Sequence, residues 1–255
     1  MTKIVVIGDR MKDVDEHFIT VKHHEGVPVV SSLHVDCRPG GSENVARMCR
    51  ALGAEVLSLG LEPSLKKRVF IDGSLILRID NDQSASPHRD VIGEWSRRID
   101  GFDADVILVC DHAKGVVTQA LMDMVTDTNI PVYFDPCQKS DWSMARHVDC
   151  ISANRLEWSN APRAWFGEEA TLKIKRLDED GVVWITPRGE ESIPSACRRV
   201  VDTVGAGDQF LATMACCRAG GKSWRESIEL ANRSAGLQCE RQGIVPLTWG
   251  DFDGP

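Results

Sequence analysis

Asp202-Thr203-Val204-Gly205-Ala206-Gly207-Asp208 runs directly into the apolar stretch Gln209-Phe210-Leu211-Ala212-Thr213-Met214. Two glycines and an alanine opening a helix let backbone N–H groups approach an anion closely. The helix N-terminus adds partial positive charge at the same point. Gly205, Ala206 and Gly207 are therefore expected to hold a phosphoryl group in transfer. Asp208, in the first helical turn, is expected to face the same space, where a carboxylate can accept the proton of an attacking hydroxyl. A bare G-A-G-D is more often an ordinary helix start; the full D-T-x-G-A-G-D before an apolar helix is far more specific.

Three further groupings could take part. In Arg38-Pro39-Gly40-Gly41-Ser42-Glu43-Asn44 the glycine pair exposes backbone to a ligand, and the Asn44 amide can both donate to and accept from hydroxyls. Asn154 and Glu157, three residues apart, follow a strand and precede the anion loop, although the same spacing alone is a helix-start capping pattern. Lys66, Lys67 and Arg68 are either a solvated strand start or a cationic cluster for an anionic ligand.

The elements that must position these groups follow from periodicity. Strands are expected at Lys3–Ile7, Glu55–Leu59, Asp105–Cys110, Pro131–Phe134, Val148–Ser152 and Val182–Thr186. Helices are expected at Gly41–Leu52, His88–Ile99, Thr118–Thr126, from about Asn154, at Ala206–Ala219 and at Ser223–Glu240. This alternation predicts a mostly parallel sheet covered on both faces, with ligands beyond the carboxyl ends of its strands. Asp9, Asp111, Asp135, Asn154 and Thr186 follow predicted strands and together outline a site. The alternating runs Val27–Val35 and Arg68–Ile79 break the rhythm and are expected to form a small projecting β lid, or else edge strands of the main sheet.

The chain has 255 residues, 42% hydrophobic content and a net charge of −8, which suits one α/β domain. An acidic chain has no general attraction for nucleic acid or anionic lipid. No apolar run reaches the roughly 20 residues of a membrane span, and Ile4–Ile7, ended by Gly8-Asp9-Arg10, is too short an apolar run to be expected as a signal peptide. The nine cysteines include no C-x-x-C and are read as reduced, mostly buried thiols of a cytoplasmic protein. Gly220-Gly221-Lys222-Ser223 lacks the upstream glycine of a P-loop and is read as one helix ending and another starting. His23-His24 is read as surface, and Cys216-Cys217 as core.

D-T-x-G-A-G-D resembles the C-terminal signature of the ribokinase-like (PfkB) carbohydrate kinases. Gly40, Gly41 and Asn44 resemble the family's sugar-pocket signature, and Asn154-x-x-Glu157 its N-x-x-E. The likeness runs along almost the whole chain. Within the family it is greatest to the heptose-phosphate kinase domain of lipopolysaccharide-precursor enzymes. It is carried by Gly8-Asp9-Arg10-Met11-Lys12-Asp13, Gly26-Val27-Pro28-Val29-Val30, Lys66, Arg68, Arg78, Asp80, Asp111-His112-Ala113-Lys114-Gly115, Asp135-Pro136 and Ala231-Asn232.

The resemblance implies a three-layer sandwich over residues 1–255, with lid segments at about 26–38 and 66–80. It implies ATP-dependent phosphoryl transfer with Asp208 as base. Asp13, Gly40, Gly41, Asn44 and Asp111 would meet the sugar, and Lys66 and Arg68 the substrate's own phosphate. Asn154, Thr186, Gly189, Thr203 and Asn232 would line the nucleotide, and Asn154 and Glu157 would hold Mg²⁺. A monovalent cation is left open. Dimerisation through the lid is implied too.

The preferred acceptor is the anomeric hydroxyl of a heptose 7-phosphate. Another sugar or nucleoside of the same group, or a catalytically silent ligand-binding descendant, are the alternatives. Four departures from the family stand out, one being Arg10 and Lys12 where the family prefers apolar residues. A helix–strand unit usually found between Leu59 and Lys66 is missing. His112 replaces a tyrosine. The nucleotide loop T-x-G-x-x-G is matched only in part, at Thr186–Ser192.

Overall fold

The computed structural model describes residues 1–81, 85–161, 172–186 and 189–252. An eight-stranded sheet forms its centre. It contains β1 (Lys3–Gly8), β4 (Glu55–Leu59), β7 (Val106–Cys110), β8 (Val132–Asp135), β9 (Cys150–Asn154), β10 (Leu172–Arg176), β11 (Val182–Thr186) and β12 (Gly189–Ile193). Their order is β12-β11-β10-β9-β8-β7-β1-β4. The strands from β4 to β10 pair in parallel, β11 pairs antiparallel with β10, and β12 pairs antiparallel with β11.

A strand covered on both faces needs apolar residues at every position, and β1 shows why. Ile4 and Val6 enter a core shared with α1 (Ser42–Ala51), α5 (Ala206–Ala219) and α6 (Trp224–Cys239). Val5 and Ile7 enter the opposite core, shared with α2 (Arg89–Asp100) and α3 (Gln119–Thr126). Three layers result. The expected strands and helices are present, most of them shifted by a residue or two, and several predicted end residues serve as caps. His88 caps α2, Thr118 caps α3, and Ser223 caps α6 in a capping box with Glu226. Gly220-Gly221-Lys222 is the link between α5 and α6, as read from sequence.

The projecting sheet has four strands in the order β3-β2-β5-β6. They are β2 (Arg10–His24), β3 (Val27–Gly41), β5 (Ser64–Ile71) and β6 (Ser74–Asn81). The lid is therefore larger than its two predicted segments. β2 escapes a periodicity reading because charged and histidine residues occupy most of one of its faces. The run Arg68–Ile79 is not one strand but parts of two, turned at Asp72-Gly73, where both residues have positive φ (50° and 78°). That is the turn chemistry of a tight hairpin. Four residues carry the chain from β4 straight into β5, so no helix–strand unit intervenes. β10, β12 and a last short helix, α7 (Trp249–Phe252), are further elements that periodicity did not reveal.

Lid side chains sort by register. Asp13, Asp15 and His17 on β2 lie across from Arg38, Asp36 and His34 on β3, and from Lys66, Arg68 and Phe70 on β5. His17 is stacked between His34 and Phe70, with ring centroids 4.3 and 4.6 Å away. Val14, Val35, Val69, Leu77 and Ile79 fall on the other face.

Candidate active site

Gly205, in the left-handed region at φ 81°, caps α5 and starts it. Asp202 sets the approach, accepting hydrogen bonds from Val204 N at 3.0 Å and Gly243 N at 3.0 Å. One turn into α5, Asp208 accepts a 2.8 Å hydrogen bond from Asn44 Nδ2 of α1. Burial pushes the Asp208 carboxyl above its ordinary range, while His112, Asn44 and Arg176 favour its ionised form. Asn44 Oδ1 and His112 Nε2 are buried and have no hydrogen-bond partner among the described residues. Two unsatisfied polar atoms beside one carboxylate are what a hydroxyl-bearing ligand would satisfy.

Of the glycine pair before α1, Gly41 is required by backbone contact and Gly40 leaves room for the Asp13 side chain. A Cβ on Gly41 would stand 2.3 Å from the Asp9 carbonyl oxygen, and φ there is 59°. A Cβ on Gly40 would stand 3.1 Å from Asp13 Oδ2. Asp9 itself has a structural task. Its carboxylate accepts backbone N–H bonds from His112, Lys114 and Val116 at 2.8, 2.9 and 3.0 Å, which fixes the loop after β7. Asp111 in that loop is buried and accepts from Ala113 N at 2.7 Å. Burial raises its pKa against the pull of Ser140 and Ala113.

Asp13 and Arg68 meet at 3.2 Å, and Arg68 also reaches Asp15 at 3.0 Å. Arg38 pairs with Asp15 as well. Arg68 is thus bound to two lid carboxylates. Lys66 lies across from Asp13 and Asp80.

On the far side of Gly205–Gly207 opens a cavity of about 640 Å³, lined by Asn154, Arg176, Gly181, Thr203, Ala206, Gly207, Phe210 and Asn232, among others. Asn154 caps the short helix α4 (Arg155–Trp158) in a capping box: its Oδ1 accepts from Glu157 N, and its N donates to Glu157 Oε2. Asn232 Nδ2 donates to the Pro194 carbonyl at 2.8 Å.

Thr186 and Gly189 are not in this cavity, and their assignment to the nucleotide loop is corrected by topology. β11 is antiparallel to β10, with Arg176 opposite Val182 and Lys173 opposite Ile185. Its carboxyl end therefore points away from the carboxyl ends of the parallel strands. Pro187 and Arg188 of the same predicted loop lie outside the described residues. The turn that does reach the cavity is Leu177–Gly181, after β10. Arg176 at the end of β10 and Asp178 in the turn stand where T-x-G-x-x-G has its threonine and first glycine, and Gly181 matches the last glycine.

Arg176 was not singled out by the sequence, because β10 itself was not. Its Nη2 donates to Asp135 Oδ1 at 2.9 Å and lies 3.3 Å from Glu157 Oε2. Burial pushes Asp135 up; Arg176 draws it down, and Glu157 and Asp208 push it up again.

A parallel α/β sheet whose strand ends surround a glycine-opened helix, with a buried aspartate in the first turn, is an arrangement able to hold a phosphate. The family model described as "pfkB family carbohydrate kinase" matches residues 98–248. Over 304 residues the chain is 31% identical to the Bifunctional protein HldE of Trichlorobacter lovleyi, covering 96% of this chain and 61% of that protein. It is also 27% identical over 313 residues to the D-beta-D-heptose 7-phosphate kinase of Bordetella bronchiseptica, covering 99% and 95%. The Arabidopsis thaliana ribokinase complexed with ribose and ATP superposes with a TM-score of 0.69 at 19% identity, over 96% and 95% of the two chains. Escherichia coli phosphofructokinase-2 in complex with potassium gives 0.72 at 15%, over 98% and 97%.

The chain belongs to the pfkB family of carbohydrate kinases and has the ribokinase-like fold. It spans less than two thirds of the bifunctional relative. Among the described residues no helix is long and apolar enough to cross a membrane.

Proposed function

We propose that the protein transfers the γ-phosphate of ATP to the anomeric hydroxyl of a heptose 7-phosphate, with Asp208 as general base. The observation that carries this reading is the Asn44–Asp208 pair at 2.8 Å, which sits beside the unsatisfied Asn44 Oδ1 and His112 Nε2 and next to the anion loop. The acceptor oxygen bonds to the γ-phosphorus, the bond from phosphorus to the bridging oxygen breaks, ADP leaves, and the hydroxyl proton passes to Asp208. The amides of Gly205–Gly207 meet the charge on the transferring group.

Asp135 and Glu157 supply hard oxygen donors beside that loop, which fits Mg²⁺ held partly through water, with Asn154 positioning Glu157. There Mg²⁺ would neutralise phosphate charge. Asn154, Thr203 and Asn232 line the cavity assigned to the nucleotide. The name of one relative, a D-beta-D-heptose 7-phosphate kinase, supports the heptose acceptor.

Two observations favour a second acceptor class. Arg68 is already paired with Asp13 and Asp15, and the wall between β4 and β5 is short, which suits an unphosphorylated sugar of the same group. ADP release from Mg·ATP, measured with D-glycero-D-manno-heptose 7-phosphate and with a panel of free sugars and nucleosides, separates the two. A kcat/KM higher for any free sugar than for the heptose phosphate rejects the preferred acceptor. Binding of ATP with no turnover on any acceptor would favour the silent descendant.

Nine free cysteines support a cytoplasmic location. The apolar lid face carrying Val35, Leu77 and Ile79, each 44–51% exposed, supports a homodimer through the lid. Sedimentation of the wild type and of Leu77→Glu tests it.

A further inference from the structure

We propose that Arg176 is a phosphate-binding catalytic residue, which meets the terminal phosphates of the nucleotide together with the Gly205–Gly207 amides. The proposal rests on reading the neighbouring cavity as the nucleotide site. It concerns the donor side only and is independent of which acceptor is used.

Three observations carry it. The first is an unfinished set of hydrogen bonds. A guanidinium has five N–H donors and keeps its charge at all ordinary pH. Here a single nitrogen, Nη2, serves both carboxylates, Asp135 and Glu157. Nε and Nη1 are buried and find no partner among the described residues. A purely structural bridge has no reason to leave those donors unmet, since an unmet buried donor costs about 1–3 kcal/mol.

The second observation is position. A Cβ on Gly207 would lie 2.7 Å from Arg176 Nη1 and 3.3 Å from Cζ. The guanidinium therefore occupies room that only a glycine leaves, directly against the loop that opens α5. The third is electrostatic. The start of α5 carries partial positive charge, and the guanidinium is a second positive source converging on it. Asp135 and Glu157 balance part of that charge from one side, and a polyphosphate is the anion that a planar fork and a helix N-terminus both recognise. Asp135 and Glu157 then act as the anchor that holds the fork in place, and need not consume it.

In the transfer step itself the bonds made and broken are those given above. Arg176 gains or loses no proton and adds only positive charge where the leaving and transferring oxygens gather negative charge.

The test measures inorganic tripolyphosphate binding by calorimetry in EDTA, without metal, sugar or adenine. Wild type, Arg176→Lys and Arg176→Ala are compared, with adenosine as a second probe. The expected result is a loss of tripolyphosphate affinity of about 10-fold or more in both variants with adenosine binding unchanged. In turnover, kcat should fall more than KM for ATP rises. Added guanidinium ion should restore part of the alanine variant's rate, and urea, of the same shape without the charge, should not.

Arg176→Ala leaves two buried carboxylates without their cation, so its folding is checked by far-UV circular dichroism. If it does not fold, Arg176→Lys decides alone, because one ammonium cannot both bridge the acids and reach the phosphate. Tripolyphosphate binding that is unchanged or tighter in the variants overturns the proposal and makes Arg176 a structural bridge or a plug. Absence of adenosine binding by the wild type would instead remove the nucleotide reading of the cavity.

Discussion

Asn44 on α1 and Asp208 on α5 stand 164 residues apart in sequence, yet the amide of one donates to the carboxylate of the other at 2.8 Å. The contact joins the glycine-pair segment to the anion loop. It also orients Asp208 while leaving Asn44 Oδ1 unsatisfied beside it.

Asp208→Asn keeps the size and hydrogen-bonding capacity of the side chain but cannot take a proton. The kcat should fall by about 10²–10⁴-fold, with the melting temperature within a few degrees of wild type. Single-turnover ADP release together with a thermal melt checks this. Near-wild-type turnover in the variant would reject Asp208 as the base.

The pH profile follows from burial of that aspartate. Its folded pKa is raised above the ordinary 3.8. The active form is the carboxylate, so activity falls as pH drops through that raised value. The same shift means that its stabilising contribution is complete below the unfolded pKa and is lost as pH rises through the folded one. Asn44 favours the charged form, so Asn44→Ala should move the acid limb of the kcat profile to higher pH. A limb that stays in place, or moves down, contradicts the contact.

Gly41→Ala sets a Cβ against the Asp9 carbonyl oxygen at 2.3 Å, at φ 59°. Neither atom is a flexible side-chain end, so the backbone must shift. A loss of stability of about 1–3 kcal/mol is expected, read from urea denaturation midpoints. Gly73→Ala also has positive φ, but its Cβ meets nothing within 4 Å. It should lose less.

Arg68→Met removes one of two arginines from Asp15 and the arginine from Asp13. Freed of that partner, Asp13 should still bind sugar hydroxyls. If Arg68 meets a substrate phosphate, KM for heptose 7-phosphate should rise about 10-fold or more, while KM for an unphosphorylated sugar changes little. Equal changes for both would make the arginine a lid brace.

What the sequence disclosed and what it hid have separate physical causes. β1, β4, β7, β8 and β9 are short apolar runs and α5 follows a glycine-opened loop, so periodicity and turn chemistry mark them. The anion loop, Asn44 and Asp208 were legible for the same reason, since small residues before a helix are an uncommon local pattern.

β10 was hidden because Leu172-Lys173-Ile174-Lys175-Arg176 carries three cations in five residues. Its place between β9 and β11 comes from pairing, not from its own composition. Arg176 was lost with it. That omission sent the nucleotide loop to Thr186 and Gly189, at the end of an antiparallel strand whose direction no single-chain pattern reveals. The last glycine, Gly181 at φ 87°, was the available signal.

The interposed lid also shapes how the chain assembles. Ile4 pairs with Val56 on one side and Val106 on the other, and the stretch before Val56 holds β2, β3 and α1. During synthesis β1 therefore emerges long before either neighbour exists. It waits with both apolar faces and both edges uncovered, while β2 and β3 can already close as a local hairpin. Until β4 and then β7 emerge and dock, β1 has edges open to mispairing, so the wait on the ribosome is an aggregation-prone interval.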